Sequence, residues 1–239
     1  MRKFLFAMLA LPLFALSQNK TVVSVNRVFP KPDKIQAFEK ALGDHAQKYH
    51  KGDYFWRVFF IESGPDAGGY HITEGPCSWD AVDKRADISA EHTADWDKMV
   101  QPYLTDKSSN SYSVYRADLS SVPLTEYSDK IAINHVFYKP GYQPEMEEAF
   151  KLLKKTWAAS GQSIAVYESS GSGEPQYAVV TRYKQGLKER ERDFRAPMKD
   201  RYEKENGTGS WVKYNDVLKT AVDHSWAELL TLKPAMGSK

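Results

Sequence analysis

A short phrase occurs twice in this chain. Val25-Asn26-Arg27-Val28-Phe29-Pro30-Lys31-Pro32 returns as Ile133-Asn134-His135-Val136-Phe137-Tyr138-Lys139-Pro140, 108 residues later. Each copy is a β-rich run that ends at proline and is followed by a helical pattern. Further landmarks recur in the same order. Glu62-Ser63 and Glu168-Ser169 each precede a glycine-rich turn, and Tyr70 or Tyr177 follows. The spacing drifts slightly between landmarks, which places insertions in loops, where they are tolerated. A chain written this way must build two units of like shape.

Taken in order, residues 21–29 read as a strand rich in Val and Phe, stopped by Pro30 and Pro32. Asp33 is then a plausible N-cap for a helix to Tyr49, with Ile35, Phe38, Leu42 and Ala46 on one stripe. Strands follow at 54–62 and 70–74, the second broken by Gly75-Pro76. Ser78 caps a helix from Trp79, a further helical stretch covers 90–103, and 111–119 closes the half as a strand. The second half repeats this: strand 130–138, helix 143–159, strands 164–169 and 177–183, helical regions 186–202 and 211–220, and a last strand at 222–232. Residues 120–128 read as a linker between repeats 18–119 and 129–239.

Each half is therefore β-α-β-β-α-β, the ferredoxin-like order: an antiparallel sheet with helices on one face. The strands are apolar on both faces. Trp56, Val58 and Phe60 alternate with Phe55, Phe59 and Ile61. The face away from the helices needs a cover, and the other half's sheet is the nearest one. The expected fold class is α+β, with two repeats packed sheet to sheet as a barrel within one chain. Burial of several hundred Å² of apolar surface in this way stabilises by roughly 10 kcal/mol before entropy costs.

Charge and cysteine content narrow the function classes. Met1-Arg2-Lys3, the apolar run to Leu16 and Ala15-Leu16-Ser17 read as a signal peptide over residues 1–17, implying a secreted or periplasmic protein. The apolar run is too short to span a bilayer. Its removal takes away Arg2 and Lys3 and brings the formal charge from +2 to neutral. Nothing in that balance attracts nucleic acid or a membrane surface. The single Cys77 makes no internal disulfide and reads as a small core residue.

The duplicated order, with its first strand ending in Asn-x-Val-Phe-x-Lys-Pro, resembles the dimeric α+β barrel superfamily in a tandem, gene-fused form. Antibiotic biosynthesis monooxygenases are one branch of it. The resemblance covers about residues 21–232. It implies a monomer that acts as its own dimer and holds a small-molecule ligand. The activities it implies are cofactor-independent monooxygenation, heme degradation and chlorite dismutase-like heme chemistry. In the monooxygenase branch a first-strand Asn, a Trp and a His line a pocket between sheet and helices. The matching positions are Asn26 and Asn134, with His135 beside the latter. An Asn amide both donates and accepts and can hold a carbonyl or an oxyanion; a strand Asn also serves simply to satisfy backbone groups. His135, on the opposite strand face from Asn134, is a candidate base or a hydrogen-bonded interior histidine.

Trp56, Arg57, Arg116, His224 and Trp226 complete the candidate ligand contacts. Arg57 and Arg116 are charges within strands, where an anionic or aromatic ligand or pairing with Glu62, Glu168 or Glu228 would offset their desolvation. No metal set is read: His45 and His50 are five apart on a helix, and Glu91-His92 with Asp95 is a weak pattern. No cofactor is read from the residues; heme is the one the resemblance brings, with His92 its nearest axial candidate. The leading function is binding of a small apolar or aromatic molecule, with cofactor-independent monooxygenation as the reaction class. The alternatives are a non-catalytic binding or stress-related protein and a heme protein.

Overall fold

A computed structural model describes residues 19–85 and 88–239. The signal-peptide reading of residues 1–17 lies outside the described residues. Eight strands run β1 Val22–Pro30, β2 Trp56–Ser63, β3 Tyr70–Cys77, β4 Leu104–Tyr115, β5 Lys130–Tyr138, β6 Ile164–Ser169, β7 Gln176–Arg182 and β8 Val222–Leu232. Six α-helices accompany them among the described residues: α1 Ile35–Tyr49, α2 Trp79–Arg85, α3 Ala90–Asp95, α4 Gln143–Ala159, α5 Met198–Asn206 and α6 Ser210–Ala221. The strands β1 and β5, which carry the repeated phrase, are both nine residues long.

The sheet closes on itself in the order β1-β3-β2-β8-β5-β7-β6-β4. It consists of two ferredoxin-like sheets, β4-β1-β3-β2 and β6-β7-β5-β8, joined edge to edge. One seam pairs β2 with β8, and the other pairs β4 with β6 from Ser113–Ser169 to Tyr115–Tyr167. Closure pairs the edge strands with each other, which removes free edges. It also turns both inner faces toward one interior. Phe59 and Ile61 from the first half meet Ile131, Ile133, Ala165, Val180 and Leu230 from the second there.

Helices cover the outer faces. Phe38, Leu42 and Ala46 of α1 pack on Val58, Tyr70 and Ile72. Met146, Phe150, Leu153 and Trp157 of α4 pack with Tyr202 of α5 on Val136, Val166 and Tyr177. The long helix α4 has the bounds its stripe implies.

Several local expectations are corrected. Lys34, not Asp33, precedes α1, and no side chain caps that end. β3 runs on through Gly75-Pro76, since Gly75 takes φ +116° and keeps its N–H bonded to Phe55 O. β4 begins at Leu104, well before residue 111, and stops at Tyr115. Its polar start hides a strand whose pairing with β1 extends to Pro30–Leu104. Residues 186–202 are not one helix: a 3₁₀ turn, Leu187–Arg190, is separated from α5 by an irregular stretch ending at Pro197.

Candidate active site inside the barrel

Residues alternate between the barrel interior and the helix layers, so β1 sends Val23, Val25 and Arg27 inward while Asn26 faces out. On β5, Ile131, Ile133 and His135 point inward and Asn134 outward. The interior encloses a cavity of about 310 Å³. Its volume has a simple source. The inward positions of β4 are Ser109, Ser111 and Ser113, whereas the corresponding strand β8 supplies Trp226, Glu228 and Leu230. Small side chains on one strand leave space that large ones on the other do not fill.

The two halves meet at equivalent positions. Arg27 Nη2 and His135 Nε2, 108 residues apart, lie 3.5 Å from each other. Both reach Glu228, whose side chain has no solvent exposure. Arg27 donates to both Glu228 oxygens, and to Asp66 Oδ2 at 2.8 Å. His135 Nε2 lies 2.9 Å from Glu228 Oε1, and its Nδ1 lies 3.0 Å from Gln176 Oε1. An ionised carboxylate only accepts, so Nε2 donates to Glu228, and Nδ1 is then free to accept from the Gln176 side-chain amide once that group is turned to present its NH₂. Trp226 stacks on His135 at 3.9 Å between ring centres. Burial pushes the Glu228 carboxyl up, but hydrogen bonds from His135 and Arg27, with the Arg27 charge, hold it down at about 2. His71 lines the same cavity. Burial, reinforced by the Arg27 charge, lowers it to about 3, so its imidazole is neutral. His71 Nδ1 is buried and has no hydrogen-bond partner.

Another group of side chains carries two further arginines. Arg57 donates to Gly75 O at 3.1 Å and lies 3.7 Å over the Tyr127 ring. Arg182, 3% exposed, donates to Pro123 O, Leu124 O and Tyr167 Oη. The residues between the repeats thus fold over the barrel and place Tyr127 against both guanidiniums. Among the described residues, neither arginine has a carboxylate within ion-pair distance. Burial lowers Arg57, and the charge of Arg182 adds to this.

The sequence candidates separate accordingly. His135, Arg57 and Trp226 line the cavity. Asn26, Asn134 and Trp56 do not, since all three face outward. Asn134 and His135 lie on opposite faces of β5, as alternation requires, and so share no pocket. Asn134 lines a different cavity, about 490 Å³ between the sheet and α4, α5 and α6, with Phe150, Trp157 and Tyr214. Trp56 lies under α1, stacked on His50. Arg116 pairs with Asp118, Glu147 and Glu168 outside the barrel. That is the pairing alternative, not the ligand one. His224 is exposed, stacked on Phe137 and bonded to Asp223. Arg27, His71, Asp66 and Arg182 escaped the sequence reading, and Glu228 entered it only as a possible partner of Arg57 or Arg116, whereas it pairs with Arg27. The strand-interior charge that drew attention to Arg57 was an equally available signal at Arg27 and Arg182.

A heme on His92 does not fit. Its Nε2 stands 3.3 Å from His50 Nε2, with Tyr49 and His45 against its ring, which leaves no room for a porphyrin plane.

No known family profile matches the chain, and no curated protein matches it. Solved structures do. One is described as "putative monooxygenase from Lactobacillus acidophilus NCFM": TM-score 0.54, 13% identity, covering 89% of this chain and 94% of that one. An anthrone oxidase-like protein gives TM-score 0.54 at 15% identity over 90% and 92%. A mutant chlorite dismutase from Candidatus Nitrospira defluvii gives 0.51 at 7% over 90% and 92%. The chain has the dimeric α+β barrel fold in tandem form, both halves of the barrel lying in one polypeptide.

Proposed function

We propose that the barrel interior binds a small molecule with an aromatic or apolar body and an anionic group. The observation that carries this is the pair Arg57 and Arg182. Two largely buried guanidiniums face one cavity with no carboxylate within ion-pair distance of either among the described residues; Glu126 acts on Arg182 only from farther off, and an anion between the two would offset their mutual repulsion. The walls supply the rest: Val25, Phe59, Ile133 and Val180 for an apolar body, the β4 serines for polar substituents.

Titration with 1-naphthoate and with neutral 2-naphthol, followed by calorimetry, tests the reading. The anion is expected to bind more tightly. Arg57→Met or Arg182→Met should weaken it by roughly 10- to 100-fold, the value of one charge-assisted hydrogen bond. Equal binding of the two probes, or unchanged affinity in both variants, overturns it.

A second reading, cofactor-independent oxygenation of that ligand, rests on His71. His71 lines the cavity, and its neutral imidazole can hydrogen-bond an enol or phenol there; with burial holding it at about 3 it orients that hydroxyl rather than taking its proton. The names of the structural neighbours favour the same class. Oxygen uptake with anthrone, monitored as anthraquinone appears, should be abolished in His71→Phe. No uptake by the unaltered protein removes this reading and leaves the binding one standing.

A further inference from the structure

Outside the barrel, on the α1 side of the first sheet, three histidines converge. His45 belongs to α1. His50 lies one residue beyond the helix end, in extended conformation, and so turns back beside it. The expectation that a five-residue spacing keeps these two apart fails for that reason. His92 comes from α3. One ligand atom from each lies within 4.8 Å of the others. All three side chains are buried, His45 and His50 almost completely.

The nitrogens are already sorted. His50 Nδ1 lies 3.1 Å from Glu74 Oε2, and His45 Nδ1 lies 2.9 Å from Asp95 Oδ2. Each carboxylate therefore fixes a tautomer and leaves Nε2 as the lone-pair nitrogen. His45 Nε2 is buried and, among the described residues, has no hydrogen-bond partner to offset its desolvation. His50 Nε2 and His92 Nε2 stand 3.3 Å apart. Two nitrogens on a tetrahedral ion with bonds of about 2.0–2.1 Å would be separated by about 3.3–3.4 Å. Glu74 is held in turn by Trp56 Nε1 and Arg85. Trp56 stacks on His50 and Trp96 meets His45 edge-on, which gives the site apolar walls.

We propose that His45, His50 and His92 form a three-imidazole site for a first-row divalent transition metal ion, Zn²⁺ foremost, with a fourth position left to a non-protein ligand such as water. Imidazole donors suit zinc, cobalt, nickel and copper and exclude calcium and magnesium. The site is independent of the barrel cavity, because Trp56 and Glu74 face away from it.

The test is metal binding by the intact purified protein after chelator treatment. One equivalent of Zn²⁺ or Co²⁺ is expected, with the intense visible bands of four-coordinate cobalt. His45→Gln and His92→Gln should each lose stoichiometric binding, while His224→Gln keeps it. Should a variant fail to fold, side-chain ¹⁵N spectra of the unaltered protein decide: Zn²⁺ should move Nε2 of three of the six histidines. Failure to take up one equivalent, retention of binding in both variants, or a shift of other histidines overturns the proposal.

Discussion

At the level of single residues, Glu228 shows how a charge survives inside a barrel. It is fully enclosed, yet it accepts from Arg27 and His135 and so keeps its charge. Its folded-state pKa, about 2, is below its unfolded value near 4.5. The unfolded chain thus takes up the proton first. The stabilisation is complete above about pH 4.5 and is lost as pH falls toward 2, on the order of 3 kcal/mol in all. His71 acts in a higher window. Its folded pKa, about 3, lies below the ordinary 6.5, so its stabilisation is complete above pH 6.5 and declines as pH falls. The charged or titratable groups it senses are Arg27 from β1, Glu228 from β8, His135 from β5 and Asp66 from the β2–β3 turn. Urea unfolding measured from pH 7.5 to 3 should show stability falling through both windows. His71→Phe should flatten the slope above about pH 4.5, and Glu228→Gln the slope below it. At neutral pH, Glu228→Gln should cost roughly 3–5 kcal/mol, because it leaves the Arg27 charge buried with Asp66 alone. Little of this was legible beforehand. His135 stood out by type, but Arg27 and Glu228 lie 201 residues apart and nothing local links them.

At the level of elements, the sequence was most readable where one face is plainly apolar. The strand β5 and the helix α4 have the bounds their patterns imply, since each buries a set of large side chains along its length; β8 also has the expected bounds, although only Glu228 and Leu230 are buried in it. The strand β4 was only half readable. Its inward residues are serines and its early outward ones are exposed, so neither face alternates in hydropathy. The same feature makes the cavity. Ser111→Leu should fill it, with loss of naphthoate binding in calorimetry and a change in unfolding free energy below about 1.5 kcal/mol. Gly75 is the opposite case, a position where nothing larger fits. It takes φ +116°, and a Cβ there would stand 2.9 Å from Val22 O. Gly75→Ala should therefore destabilise by about 1–3 kcal/mol in chemical denaturation, through backbone strain and displacement of β1.

At the level of the molecule, the repeat made two like units readable, but not how they join. Apolar strand faces implied that one sheet covers the other. The structure adds hydrogen-bonded seams, which the sequence cannot show because pairing register leaves no mark in composition. The seams have a thermodynamic consequence. Phe59 and Ile61 share one interior with Ile133 and Leu230, and the Arg27–Glu228 pair crosses from half to half. If either half unfolded alone, it would expose the other's inner face and leave a buried charge unpaired, so no half-folded state is favoured. Unfolding followed by tryptophan fluorescence and by far-ultraviolet circular dichroism should give coincident transitions. Trp96 reports on the first half and Trp157 on the second, and single-tryptophan variants retaining each should share one midpoint. Glu228→Gln should move both midpoints together. Midpoints that separate in either protein would mean that the sheets fold as independent units and that the barrel interior is not a common core.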